Sequence, residues 1–120
     1  MATSRSADRP ARWSAGAQVF SGRPDPLWVV ARDVAARLLA LWKAMPHWSG
    51  AVPVGAALGY RGSCLAWDSS RTWLAYRGAV TLVRPGRRES RRDCDRAFEK
   101  LLLSSAPAGT LPDYVWSEFG

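Results

Sequence analysis

His47 is the only histidine in the chain and lies between Pro46 and Trp48. Imidazole is the side chain whose charge changes nearest neutral pH, so His47 is the first candidate for a general base. The sequence names no second group to hold it, and an ordinary loop histidine fits the same pattern. The cysteines, Cys64 and Cys94, stand far apart with no C-x-x-C or His-paired spacing. They are expected as reduced thiols, not as a disulfide framework or a zinc site, and no metal or cofactor is expected. Asp68, Asp93, Asp95 and Glu99 form no recognisable acid pair. Asp95 and Glu99 share one helical face with Arg91, Arg92, Arg96 and Lys100 at hand as partners, which is the pattern of a solvated helix surface.

Binding offers more candidates than catalysis. Arg84, Arg87, Arg88, Arg91 and Arg92 surround Pro85 and Gly86. Read as an exposed loop, they are a basic patch for phosphates or for the acidic face of a partner. The stretch Ser21-Gly22-Arg23-Pro24-Asp25-Pro26 with Trp28 combines a flexible glycine, an arginine fork and two locked φ angles. It reads either as a preorganised binding loop or as a structural corner. Gly59-Tyr60-Arg61-Gly62 matches the four-residue G-x-x-G clamp of one RNA-binding module, but it leads into a strand instead of joining two helices. Arg61-Gly62-Ser63-Cys64-Leu65-Ala66-Trp67 is partly like the third strand of an RNA-recognition fold, with Ser63 where an aromatic should stand. No phosphate-binding glycine loop is present.

These residues need elements to position them. At 120 residues the chain is the size of one domain. Its 48% apolar and 22% charged composition is that of a globular protein. Seven Trp imply a core anchored by indoles. The net charge of +7 invites nucleic acid, but with 15 Arg against two Lys, and neither Ile nor Asn, part of that charge reads as the bias of a GC-rich genome. No signal peptide or membrane-spanning run is read, so the expected location is the cytoplasm, with no membrane partner.

Residues 1–16 are expected as a disordered tail, residues 17–106 as a single α+β domain, and residues 107–120 as a docked aromatic extension with Tyr114, Val115, Trp116 and Phe119. Ala17 to Phe20 reads as a short strand. Val30, Val34, Leu38, Leu41 and Met45 recur at helical spacing and predict a first helix ending by Met45. Its start is open, because Leu27 to Val30 fits either helix or strand. Tyr60 to Trp67 and Thr72 to Val83 predict a hairpin, with Arg77-Gly78 marking a bulge or a split. Cys94, Ala97, Phe98, Leu101 and Leu102 predict a second helix, with Ser90 and Asp93 resembling a capping box. The expected fold is therefore α+β: a small antiparallel sheet of three to five strands with two helices on one face, in strand-helix-strand-strand-helix order.

Val19-Phe20-Ser21-Gly22-Arg23-Pro24-Asp25-Pro26-x-Trp28, Leu58-Gly59-Tyr60-Arg61-Gly62 and Trp73-x-x-Tyr76-x-Gly78 together carry a resemblance. The chain resembles small bacterial proteins with an F-S-G-R-P-N-P-x-W signature, with Asp25 in place of Asn. The resemblance implies a bacterial origin and one compact domain, and it brings no assigned activity. It directs attention to residues 20–28 and 58–62. The expected function is that of a non-catalytic accessory or interaction protein. It would bind a peptide or protein through Ser21, Arg23, Asp25, Trp28, Tyr60 and Arg61. RNA or DNA binding through the arginine patch is the alternative, and a small enzyme using His47 or a carboxylate is the third reading. Oligomeric state is left open.

Overall fold

The computed structural model describes residues 12–20, 24–54, 59–68 and 70–119. Six strands, β1 (Trp13–Ala17), β2 (Leu27–Val30), β3 (Ser63–Asp68), β4 (Arg71–Tyr76), β5 (Ala79–Arg84) and β6 (Arg87–Arg92), form one antiparallel sheet in the order β2-β1-β3-β4-β5-β6. Helix α1 (Arg32–Ala44) follows β2, and α2 (Ala97–Ser104) follows β6 after a short 3-10 turn, Cys94–Arg96. A further 3-10 segment, Asp113–Phe119, ends the described chain.

This corrects the expected architecture. The sheet has six strands in place of three to five, and the order opens with two strands before the first helix. Three features account for the difference. Strand β1 is Trp-Ser-Ala-Gly-Ala, whose small inward residues leave no alternating apolar signal, although Ala15 and Ala17 are buried between β2 and β3. Leu27–Val30 resolves as strand, with Trp28 and Val30 buried and Leu27 and Val29 exposed, the two-residue period that separates a strand from a helix. Arg87–Arg92, read as a loop, is the last strand, paired residue by residue with β5 from Ala79↔Arg92 to Arg84↔Arg87. Arginine carries a long aliphatic stem, so a strand without an apolar residue still covers its neighbours.

The second helix is also corrected at its start. Ser90 lies in β6 and caps nothing helical. Asp93 does the capping, its Oδ1 accepting the Phe98 N–H at 2.9 Å and its Oδ2 the Glu99 N–H at 3.1 Å. Between cap and helix, Asp95 (φ 58°) and Arg96 (φ 55°) are both left-handed, a conformation that costs L-residues about 1–2 kcal/mol each.

Alternation and register divide the sheet into two faces. One holds Trp28, Leu65, Trp73, Ala75, Val80 and Leu82, which pack with Leu38, Trp42, Phe98, Leu102, Leu103 and Val115 into the core. The rings of Trp13, Trp67 and Trp73 cluster there, with centroids 4.6 and 5.8 Å from Trp13. Among the described residues the other face carries no helix. After α1 the chain passes around the β6 edge, where Trp48 N–H donates to Ser90 O and Arg92 N–H to Pro46 O, and then reaches the helix-free face at Val52, Pro53 and Val54. Among the described residues no helix is long and apolar enough to cross a membrane.

Candidate functional site

The residues singled out by sequence fall into three groups. Ser21 and Arg23 lie outside the described residues. Trp28 and Tyr60 are core side chains. Trp28 is buried against the helices, its indole N–H donating to Ser105 Oγ at 2.9 Å. Tyr60 is buried with its hydroxyl donating to the Glu99 carboxylate, and burial first, then the Glu99 charge, pushes its pKa far above the usual phenol range.

Asp25 and Arg61 build the base of the loop that joins β1 to β2. Asp25 Oδ1 accepts the N–H groups of Val19 at 2.9 Å and Phe20 at 2.8 Å. Arg61 donates from Nη2 to Phe20 O at 2.6 Å and lies 3.8 Å from Asp25. Tyr114, from the C-terminal 3-10 segment, donates its hydroxyl to Val19 O. The Phe20 N–H above all, then that of Val19 and the Arg61 charge, holds the Asp25 carboxyl below its usual range against some desolvation. A depressed carboxylate pKa means that the ionised loop base is fully stabilising above the ordinary value of 3.8 and loses that contribution as pH falls through the lower folded-state value. Amide exchange at Val19 and Phe20, corrected for its intrinsic rate, should therefore accelerate below pH 3.8. Asp25→Asn keeps the acceptor oxygen and should remove this acid dependence. Unchanged exchange in acid would refute the role given to the carboxylate.

The arginine patch is split by the strand it sits in. Register places Arg88 and Arg92 on the helix-free face, with Arg84, Arg87 and Arg91 on the other. Arg91 is spent on structure: its guanidinium lies 4.2 Å over the Trp42 ring, bonds Trp42 O at 2.9 Å and pairs with Glu89 at 2.6 Å. Arg92 stacks 4.9 Å from the Trp48 ring. Arg87 and Arg88 are exposed, and no ion pair is recorded for either among the described residues. His47 is exposed beside β6, its Nδ1 3.9 Å from Glu89. No group of three or more potential metal ligands occurs among the described residues.

Two surfaces emerge that the sequence reading did not single out. The first is the outer edge of β2. Ala17 N–H of β1 donates to Pro26 O, just before β2, at 3.3 Å. An antiparallel strand turns the polar groups of alternate residues to opposite sides, so Trp28 and Val30 bond β1 while the N–H and C=O of Leu27 and Val29 point away from the sheet. Their side chains are 76% and 61% exposed. The second surface is a groove of about 530 Å³ on the helix-free face. Its floor is one straight row across five strands, Gly16↔Cys64↔Leu74↔Thr81↔Ser90. Val52, Pro53 and Val54 line it, as do Arg61 and Arg88. Burial raises the pKa of the Cys64 thiol, so this cysteine serves the floor as a small apolar group.

No family model matches this chain, and none of the curated proteins or solved structures matches it.

Proposed function

We propose that the protein is a non-catalytic interaction protein that takes an extended segment of a partner protein onto the outer edge of β2. The observation that carries this reading is the contrast between the two edges of the sheet. The β6 edge is dressed with four arginines and has backbone bonds to Pro46 and Trp48. The β2 edge, Leu-Trp-Val-Val, has no charge in the strand, and among the described residues nothing bonds its outward groups. Natural edge strands are normally guarded by charge, proline, a bulge or a cover, and an unguarded one is a template for strand addition. The signature residues support the same edge from behind. Asp25 and Arg61 pin the loop that delivers the strand, and Trp28 anchors it to the core. The division of the arginines between two faces weighs against a nucleic-acid groove, which needs them aligned along one backbone.

The test uses variants that leave the fold alone. Val29→Lys puts a charge on an exposed position, and Val29→Pro removes an outward N–H. Both should keep the circular dichroism of the native protein. Each should weaken binding of a partner, recovered by a photo-crosslinker at Val29, by about tenfold or more. Undiminished binding in both variants would sink the reading, and so would oligonucleotide binding that falls steeply with salt and is untouched by them.

A further inference from the structure

The floor row of the groove on the helix-free face grades from apolar to polar along its length. The row is continued at the β2 end by Leu27, which pairs with Gly16. From there it passes Gly16, Cys64 and Leu74 and ends at Thr81 and Ser90, with Arg88 two residues from Ser90 on the same face. Along this row the floor is apolar at the β2 end, where Gln18 and Arg61 stand on its flank, and carries two hydroxyls and a guanidinium at the β6 end. At Gly16 a Cβ would stand 2.7 Å from Leu27 Cδ2, the movable tip of an exposed side chain, and 3.3 Å from Pro26 O. Its bare backbone lowers the floor beside Leu27.

We infer that this groove binds a long-chain carboxylic acid as a single free molecule, with its chain over Gly16, Cys64 and Leu74 and its carboxylate toward Arg88. The inference is independent of the β2 edge. Charge and shape both favour this occupant. Arg88 lines the groove and is exposed, with no carboxylate against it among the described residues. Arg61, on the flank, is held by Phe20 O. Thr81 and Ser90 share one hydrogen bond at 2.7 Å in which either hydroxyl can donate, so one of their two protons is spent between them and the other is left for an anion. A charge-assisted contact from the guanidinium and a hydroxyl donor is what a carboxylate accepts. The length fits as well, since five adjacent strands about 4.8 Å apart span about 19 Å, the scale of an extended acyl chain and more than a single peptide side chain reaches. A volume of about 530 Å³ falls in the range of small-molecule sites. Leu74, 41% exposed in the middle of the floor, is the large apolar surface that such a chain would cover.

The experiment is calorimetric titration of the full chain with palmitate below its micelle concentration. Saturable binding of one molecule per chain, at a dissociation constant of about 1–10 µM, is expected. Arg88→Gln should weaken palmitate about tenfold. Methyl palmitate should bind the native protein about as weakly as palmitate binds that variant. Leu74→Glu should abolish binding, whereas Arg37→Gln, on the exposed side of α1, should not change it. Val29→Lys should leave palmitate binding intact, since Val29 does not line the groove, so a failed edge reading and a failed groove reading give different results. Vesicles of phosphatidylglycerol should not sediment the protein. No saturation with palmitate, equal binding of acid and ester, indifference to Arg88→Gln, or binding to vesicles alone would overturn the inference.

Discussion

Glu99→Ala should lower the stability of the protein by about 3–5 kcal/mol. For a chain of this length that is a fall in Tm of roughly 12–20 °C, measurable by thermal circular dichroism. Glu99 is fully buried. Its two oxygens receive a forked pair from Arg96, Nε to Oε1 at 2.9 Å and Nη2 to Oε2 at 3.0 Å, together with the Tyr60 hydroxyl. Removing the carboxylate takes the main acceptor from the Arg96 fork and the Tyr60 hydroxyl, leaving Arg96 with Glu118 and Tyr60 with a long contact to Ser63 Oγ at 3.4 Å. Their desolvation is then only partly compensated, which costs more than the net value of the intact pair. Arg96 also holds Glu118 O at 3.1 Å and lies 4.2 Å from the Phe119 ring, so the damage should spread to the C-terminal segment. Arg96→Met combined with Glu99→Leu and Tyr60→Phe should recover a large part of the loss, because it removes the charges and the phenol together. A cost below about 1 kcal/mol for Glu99→Ala would mean that water reaches the cluster.

The second large effect is at Trp28. Trp28→Ala should cost about 3–5 kcal/mol, the range for deleting a large buried aromatic. Trp28→Phe, which keeps most of the ring and gives up the N–H bond to Ser105, should cost about 1 kcal/mol plus a small packing defect. Chemical denaturation of the pair separates the two contributions. If Trp28→Ala left stability intact while removing partner binding, Trp28 would be a contact residue. Its burial predicts the reverse, with loss of binding following loss of the strand.

What the sequence made legible was whatever announces itself locally. Branched and aromatic residues mark β3, β4 and β5. The break at Arg77-Gly78, both with positive φ, separates β4 from β5. The helical spacing of Val34, Leu38 and Leu41 marks α1. What stayed hidden depends on distant neighbours. Strand β1 is small because it is sandwiched between β2 and β3, and β6 is a strand only because β5 supplies its partner. The left-handed pair Asp95 and Arg96 goes against local preference and is held by the Asp93 cap and the Glu99 fork, both formed across the turn. The site shows the same division. Prolines and an arginine drew attention to residues 20–28, yet the exposure of Leu27 and Val29 follows from the lack of a further strand beside them among the described residues. No local pattern encodes that.

The inequality of the two sheet borders has a consequence for assembly. A molecule with two adhesive borders can join copies head to tail without limit, the geometry of a fibre. If the β2 border takes up a partner strand as proposed, the β6 border, with its four arginines and its bonds to Pro46 and Trp48, does not, and growth halts after a single addition. The product of such a docking would be a closed complex of fixed stoichiometry, with the arginines of β6 as its terminator.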